Sequence, residues 1–458
     1  MKKKVILVSL LIAVGAVATY RLVNKAPSDS LEANAKMMQL LTDGGCMECH
    51  TSDPKLPFYA SLPVAGKIVK EDIEKAYKVY DIQPMVDAIN KNEKVSEVDL
   101  AKVEKVVKDG TMPLPKYYLI HWGASMTDKE TAMALDWIKT HRAEEYPNTL
   151  ADAEFANEPI RPVHDSVAVD LRKVVLGDIL FHDTRLSVDN TVSCATCHAL
   201  NTGGVDNKQF SEGVKGQIGG VNAPTVFNAH YNFVQFWDGR ANTLAAQAGG
   251  PPLNPIEMGH TSFDDICNVL AQDKDFEKAF KEVYPEGFTQ ETITDAIQEF
   301  ERTLLTPNSK FDKYLKGNKE VLTAEEINGY ELFKKYNCAT CHVGENLGGQ
   351  SYELMGIKAD YFNDRGTEIT FEDHGRNKET KTERDMHRFK VPGLRNIALT
   401  APYFHDGTKK TLEEAVQAMA LYEVGVKLSD KETSDMVKFL NTLTGEYKGK
   451  LLTNDNMK

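Results

Sequence analysis

The amino-acid sequence has no excess of positive charge and no long acidic run. Its 458 residues include 54 Lys and Arg against 67 Asp and Glu, which gives a net charge of −13 at pH 7. This balance argues against a nucleic-acid partner and would repel other anionic partners. No acidic run is long enough to act as a disordered tail, and the hydrophobic fraction of 41% is that of an ordinary globular protein. A chain of this length is expected to form about three domains.

Cysteine is also scarce, but six of the seven cysteines fall in three Cys-x-x-Cys-His pentads. This spacing is the attachment signature of c-type haem, in which two thiols bond the porphyrin and the histidine binds the iron. A thioredoxin-like Cys-x-x-Cys needs no histidine, and structural zinc needs two Cys-x-x-Cys units close in sequence. The sequence therefore predicts three covalently bound haem c groups, held by Cys46, Cys49 and His50, by Cys194, Cys197 and His198, and by Cys338, Cys341 and His342.

A long apolar stretch runs from Val5 to Tyr20, between three lysines and Arg21. A basic cap before an apolar run is typical of an export signal, and it places the following chain outside the cytoplasm. The sequence predicts a signal anchor over residues 1–25, with residues 5–23 in the inner membrane and the remainder in the periplasm. Cleavage within Ala16–Ala18 is the alternative, and the absence of a cysteine soon after the run argues against a lipid anchor.

Residues 34–148 are predicted to form an N-terminal mono-haem cytochrome domain, because helical patterns follow the first pentad. The last of these is a strongly periodic pattern over residues 128–141. Ahead of it lies the Gly- and Pro-rich loop 110–115, in which Met112 is well placed to offer a thioether to iron. Most methionines only fill cores, but Met112 is the predicted sixth ligand of the first haem, with Met126 as the second choice.

The rest of the chain contains an internal repeat. Gly177-x-x-Leu180-Phe181 precedes the second pentad, as Gly329-x-x-Leu332-Phe333 precedes the third. Beyond the pentads, residues 224–244 match residues 392–412 at a constant offset of 168 without a gap. Two copies of one cytochrome-like unit have therefore diverged here. The sequence predicts a mainly α protein of three cytochrome c-like haem domains, the last two being copy one over residues 160–318 and copy two over residues 319–448.

The two copies differ where a sixth iron ligand would lie. Copy two has Met419 seven residues after Leu412, which predicts a closed, six-coordinate haem suited to electron transfer. The matching position of copy one is Pro251, which cannot bind iron, so the His198 haem is predicted to be open. Gln247 and Glu257 follow nearby, and a carboxylate beside iron can move a proton between the two oxygens of a peroxide. A solvated loop Glu and a helix-surface Gln are the alternative interpretation.

Residues 165–448 resemble the bacterial di-haem cytochrome c peroxidase family over nearly its full length. The extra N-terminal haem domain and apparent anchor are similar to the membrane-bound tri-haem branch, which includes quinol peroxidases. The runs that carry the resemblance are Leu176–Leu186, Ala223–Thr225, Phe236–Ala248, Phe311–Gly317, Leu394–Gly407 and Phe439–Gly445.

The resemblance implies roles for particular residues. It implies that Glu257 and Gln247 form the peroxidatic site, that Trp237 lies between two haems as an electron conduit, and that Met419 binds the electron-transfer iron. It also implies a calcium site between the two haem domains, whose few charges and oxygen ligands suit a partly hydrated calcium. Without the resemblance, these calcium positions are equally well read as turn residues; they are Asn222, Thr400 and Pro402.

One departure from the family concerns the loop between Gly213 and Asn222. Many relatives carry a histidine there that blocks the open haem until the partner haem is reduced, whereas this loop has none and places Val214 at that position. We expect the fully ferric protein to have an open site already. His230 and His260, which are near in sequence, are the alternative blocking ligands.

The sequence thus predicts an anchored periplasmic tri-haem peroxidase that reduces hydrogen peroxide to water. The expected donor is membrane quinol, on architecture and resemblance alone, with a small cytochrome or copper protein as the alternative. A non-enzymatic electron-transfer cytochrome and a di-haem oxidase of protein side chains are the rival functions. The Met at position 419 favours a peroxidase, because the side-chain oxidase relative has Tyr there. The oligomeric state stays open, with a homodimer among the options.

Overall fold

Helices dominate the computed structural model, which describes residues 2–119 and 121–454. The prediction of a mainly α protein is confirmed. Strands within the described ranges are limited to two short antiparallel pairs, in which β1 pairs with β2 and β3 with β4. The chain divides into two units, residues 1–147 and residues 148–458. The strands are β1 Tyr352–Leu354, β2 Arg388–Lys390, β3 Glu446–Tyr447 and β4 Lys450–Leu451.

The first unit packs an apolar core around the helices that flank the first pentad. Leu100, Met85 and Ile138 are among its fully buried residues. The guanidinium of Arg142 is buried as well, and its Nε donates to the Glu97 carboxylate at 2.7 Å. The helices are α1 Lys2–Val23, α2 Ala33–Asp43, α3 Cys46–Cys49, α4 Pro63–Val79, α5 Gln83–Lys91, α6 Glu97–Asp109 and α7 Asp128–Glu145.

The prediction of an inner-membrane anchor over residues 5–23 is wrong. Within the described residues, none of the helices combines the length and the apolar character needed to cross a membrane. Helix α1 begins with three lysines and has Arg21 near its end. The apolar stretch between these charges, about 24 Å long as a helix, is shorter than the roughly 30 Å hydrocarbon core of a bilayer.

The second unit contains both repeat copies. Short 3₁₀ turns and loops connect its helices, and the third pentad begins in the 3₁₀ turn Cys338–Thr340. A π-helical turn, Ala420–Val424, directly follows the helix that ends at Met419. The helices are α8 Leu171–Phe181, α9 Cys194–Cys197, α10 Leu244–Ala248, α11 Phe263–Leu270, α12 Lys274–Lys281, α13 Gln290–Arg302, α14 Lys310–Leu315, α15 Ala324–Lys335, α16 Tyr361–Arg365, α17 Asn377–Thr380, α18 Leu412–Met419 and α19 Asp430–Asn441.

The internal repeat is visible as two equivalent helix crossings. In copy one α8 packs on α13, and in copy two α15 packs on α19. Each crossing is made at a glycine: a Cβ on Gly177 would overlap the backbone of Ala296, and a Cβ on Gly329 would overlap that of Asp435. The absence of a side chain lets each helix pair approach closely. Each glycine lies on the last α-helix before a pentad, since α8 precedes Cys194 and α15 precedes Cys338.

Candidate haem centres and active site

Each pentad folds as a short helical turn that ends at its histidine. One helical turn places the two cysteines, three positions apart, on the same face. The backbone N–H of the histidine then donates to the carbonyl of the first cysteine: His50 to Cys46 at 3.1 Å, His198 to Cys194 at 3.0 Å and His342 to Cys338 at 3.0 Å. The three pentads thus share one local geometry, although they lie far apart in the chain.

The histidine rings are held in the state that a metal ligand requires. Nδ1 of His342 lies 2.8 Å from the Leu347 carbonyl, and Nδ1 of His50 lies 3.1 Å from the Tyr80 carbonyl. Such a bond fixes the tautomer and leaves Nε2 as the ligating atom. Burial lowers the pKa of His50, His198 and His342, which favours the neutral imidazole that binds metal.

The surroundings of His198 and the state of the cysteines also fit covalent haem. The buried Nδ1 of His198 lies near the backbone of Gly204 and Pro224, but it makes no hydrogen bond of normal geometry with any described residue. All seven cysteines are free rather than paired in disulfides. The described residues contain no group of three His, Cys, Asp or Glu side chains that could hold a metal ion by themselves.

The sixth-ligand position differs between the copies in structure as well as in sequence. In copy two, Met419 is the last residue of α18, half-buried, and the π-helical turn begins at the next residue. In copy one, α10 ends at Ala248 and the chain continues through a 3₁₀ turn that begins at Pro251. Copy one therefore has no thioether at the position that corresponds to Met419. The local fold is consistent with Met419 as a ligand and with an open His198 centre, and both assignments stay predictions.

Glu257 has the environment of a tuned acid–base group. It is half-buried, and it accepts a hydrogen bond of 2.7 Å from Nδ2 of Asn254. Burial raises its pKa, and the charge of Arg240 opposes that rise. Burial also raises the pKa of Cys197 to about 11, and the Glu257 carboxylate contributes, so Glu257 lies within electrostatic range of the second pentad. Gln247 lies in the last turn of α10, half-buried. Both remain predicted peroxidatic residues.

The loop that lacks a histidine packs against the Glu257 segment. Its Val214 is buried in the copy-one core, and the Val214 N–H donates to the Glu257 carbonyl at 2.9 Å. Of the two alternative blocking ligands, His230 lies within electrostatic range of Arg302, and burial is the main cause that lowers its pKa. His260 is buried, and its Nε2 has no partner among the described residues. The open-site prediction therefore has His260 as its main competitor.

Trp237 lies where the two copies meet. Its indole Nε1 donates to the Asn222 carbonyl at 2.9 Å, and its own carbonyl accepts the Lys390 N–H at 2.8 Å. The ring approaches His405 edge-on with a centroid separation of 6.4 Å and packs on the aromatic cluster around Phe362. A residue that contacts both copies is in a suitable place for the predicted role between two haems.

The predicted calcium ligands lie on segments that hydrogen bonds draw together. Asn222 is buried, and its Nδ2 donates to the Lys208 carbonyl at 2.9 Å, which leaves Oδ1 for another partner. Nδ2 of Asn207 donates to the carbonyls of Leu399 and Ala401, on either side of Thr400 and just before Pro402. The segments at 207–222 and 399–402 are thus adjacent, and a calcium ion there stays a prediction.

The ligand of the first haem is not settled by position. Met112 is exposed in its loop, with 38% of its surface accessible. Met126 packs against the apolar core of the first unit, and Cys46 and Met47 pack against the same core. Met112 remains the predicted ligand. The packing of Met126 beside this core makes Met126 a stronger alternative than the sequence alone indicated.

Two residues of these sites were missed by the sequence analysis. Asn254 holds the Glu257 carboxylate, and its position three residues before Glu257 is the signal that could have indicated it. Lys390 is buried beside Trp237. Lys390 corresponds to Asn222 at the repeat offset of 168. Extending the repeat alignment two residues upstream, from Pro392 to Lys390, would have shown this correspondence.

The helical fold and the three attachment turns define a haem c protein of the cytochrome class. Comparison with family models matches residues 5–140 to a haem-binding domain, residues 171–320 to di-haem cytochrome c peroxidase and residues 327–444 to cytochrome c. The three matched segments contain one pentad each.

Individual relatives point to the same class. The cytochrome c peroxidase Ccp of Escherichia coli K12 is 48% identical over 420 residues, which cover 92% of this chain and 90% of that protein. The cytochrome c551 peroxidase of Nitrosomonas europaea is 45% identical over 292 residues, or 64% of this chain and 85% of that protein. A crystal structure of a MauG-like protein associated with microbial copper homeostasis matches with a TM-score of 0.55 and 30% identity, over 63% of this chain and 94% of that one.

This chain belongs to the di-haem cytochrome c peroxidase family, and the extra haem-binding domain fits its tri-haem branch. It is a peroxidase with haem c as its cofactor. The predicted family and the predicted enzyme class are confirmed. The rival interpretation as a non-enzymatic electron-transfer cytochrome is set aside, because it predicted no enzyme activity.

Proposed function

We propose that this protein is a periplasmic tri-haem peroxidase that converts one hydrogen peroxide, two protons and two electrons into two waters. The periplasm is proposed because covalent attachment of haem at the pentads is the chemistry of exported proteins. The observation that carries the function is the contrast between the copies: α18 ends in Met419, whereas copy one has Pro251 there and a half-buried carboxylate, Glu257, within electrostatic range of its pentad.

The residues of copy one suit proton handling at peroxide. A haem held by His198 with an open iron face would supply the redox chemistry. Glu257 is a candidate to accept a proton from one peroxide oxygen and return it to the other, since its raised pKa brings it closer to neutral pH. Asn254 orients the carboxylate through its Nδ2, and Gln247 offers an amide that can position peroxide or water. Water is then the leaving group.

The donor we propose is a small redox protein. The names of two relatives specify cytochrome c551 peroxidase, and a small cytochrome or copper protein is an equivalent one-electron donor. Quinol is the second candidate, supported by resemblance to the tri-haem branch alone. The unit that contains His50 is proposed to receive the electrons and copy two to pass them to copy one. Calcium bound by Asn222, Thr400 and Pro402 is proposed at the junction of the copies.

The test is hydrogen peroxide consumption by the purified, fully ferric holoprotein, supplied in parallel with a reduced small c-type cytochrome and with a reduced quinol analogue. Immediate turnover with the cytochrome supports the peroxidase, the donor and a permanently open site. A lag that pre-reduction removes keeps the peroxidase but restores a blocking ligand, for which His260 is the first candidate. Turnover with the quinol alone reverses the donor assignment, and no turnover with either contradicts the proposed reaction.

A further inference from the structure

Lys390 is a buried lysine without a counter-charge among the described residues. It is the last residue of β2 and only 5% of its surface is exposed. Burial lowers the pKa of its ammonium to about 8, and no described carboxylate opposes that effect. Lys378, a half-buried lysine of the same unit, instead pairs with the Asp238 carboxylate at 3.0 Å. An unpaired buried ammonium is costly, so an anionic group from outside the polypeptide would stabilise a charged lysine in this place.

The internal repeat shows what position Lys390 occupies. The backbone N–H of Asn222 donates to the His405 carbonyl at 2.8 Å, and the backbone N–H of Lys390 donates to the Trp237 carbonyl at 2.8 Å. Both the donors and the acceptors are separated by the repeat offset of 168. Lys390 in copy two is therefore the structural counterpart of Asn222 in copy one, and each reaches across to the other copy.

The same relation places Lys390 on the side of the His342 centre. Two residues after Lys390, the backbone of Pro392 faces the His342 ring, just as the backbone of Pro224 faces the ring of His198. A haem brings two carboxylates, its propionates, into such a centre, and an ammonium is a suitable partner for a carboxylate. In copy one, the equivalent position is the one proposed for calcium, so the copies would place a cation at equivalent points.

We propose that the ammonium of Lys390 pairs with a propionate of the haem held by His342 and thereby keeps the reduction potential of that haem high. The inference rests on the proposal that His342 binds haem. A positive charge beside the haem disfavours the more positive ferric state, and it also neutralises the propionate that would otherwise stabilise that state. Lys390 is thus a residue that tunes the electron-transfer centre rather than a catalytic residue.

The test is spectroelectrochemical titration of the holoprotein with the Lys390→Met and Lys390→Arg variants. Lys427→Met is the control, because it removes the same charge from an exposed position of the same unit. We expect Lys390→Met to shift the reduction equilibrium of the His342 haem about tenfold toward the ferric form, or about 59 mV for a one-electron couple. Lys390→Arg should restore the wild-type potential, and Lys427→Met should leave it unchanged.

A haem count on each purified variant separates this inference from the proposal beneath it. If His342 holds no haem, the wild type contains fewer than three haems and the premise fails. If three haems are present and Lys390→Met keeps the wild-type potential, the pairing with Lys390 is refuted. Equal potential shifts in the Lys390→Met and Lys390→Arg variants would show that packing rather than charge causes the effect, and they would also refute the proposed pairing. A shift confined to the His198 haem would refute the assignment to the His342 centre.

Discussion

The glycines at the two helix crossings provide a matched pair of perturbations. Gly177→Ala and Gly329→Ala each insert one methyl group where no space exists. The new Cβ would overlap a backbone carbonyl of the partner helix, and it would also lie 2.8 Å from the Cβ of Phe300 in copy one and of Phe439 in copy two. Each helix is the last α-helix before a pentad, so the strain is expected to reach one haem attachment site in each variant.

The cost can be estimated from the contact that must open. Carbon atoms in ordinary contact are about 3.5–4.0 Å apart, so the helices must separate locally by roughly 1 Å, which forfeits about a quarter to a half of each contact energy. A buried side chain makes about 40–60 contacts of about 0.1–0.2 kcal/mol each, so the loss is on the order of 3 kcal/mol per variant. For a unit that spans residues 148–458, an unfolding entropy of about 2.1 cal/mol/K per residue converts this loss into a fall of roughly 5 °C in the melting temperature.

The assay is thermal unfolding of the holoproteins followed by circular dichroism, together with haem absorption spectra of each variant. Gly177→Ala should perturb the haem held by His198, whereas Gly329→Ala should perturb the haem held by His342. Gly219→Ala is the control, because its Cβ would meet nothing closer than the Ser211 carbonyl oxygen at 3.5 Å. Melting temperatures and spectra that match the wild type in both crossing variants would show that the helix pairs are not tightly apposed and would refute the reasoning.

Four further predictions concern the active site, the electron-transfer haem and the calcium site. Glu257→Gln should lower kcat/KM for peroxide by about 10²–10⁴-fold with full haem content, measured by peroxide consumption; wild-type activity would exclude Glu257 as the acid–base group. Because burial raises the pKa of Glu257, the carboxylate is lost as pH falls through a value above that of an ordinary Glu, so the acidic limb of the pH–kcat/KM profile should lie above 4.5 and vanish in the Gln variant. Met419→Ala should lower the potential of one haem and slow electron delivery while peroxide still binds, as stopped-flow absorbance would show, whereas unchanged turnover would mean that another residue is the ligand. Removal of calcium with a chelator should reduce peroxide turnover, and added calcium should restore it. Asn222→Ala should bind calcium more weakly in a calorimetric titration. Full activity of the chelated wild type would contradict the proposed calcium site.

Some properties of this protein follow from sequence spacing because the chemistry is local. Two thiols and an imidazole within five residues can hold one haem only through a single helical turn, so the pentads predict the cofactor without the fold. The internal repeat can also be found from the sequence alone, because it needs only the comparison of Pro224 and its neighbours with Pro392 and its neighbours. The same comparison exposed the replacement of Met419 by Pro251.

Other properties depend on contacts between distant segments, and only the tertiary structure decides them. The pairing of Asn254 with Glu257, the crossing of Gly177 over Ala296 and the burial of Lys390 next to Trp237 are examples. The anchor prediction failed because an apolar pattern indicates a helix but does not show that the helix spans a bilayer. Whether it spans depends on the length of the apolar segment between the flanking charges. Sequence spacing determined which groups this chain can bind, whereas packing decided which side chains surround them, since burial and charge depend on neighbours that are remote in the chain.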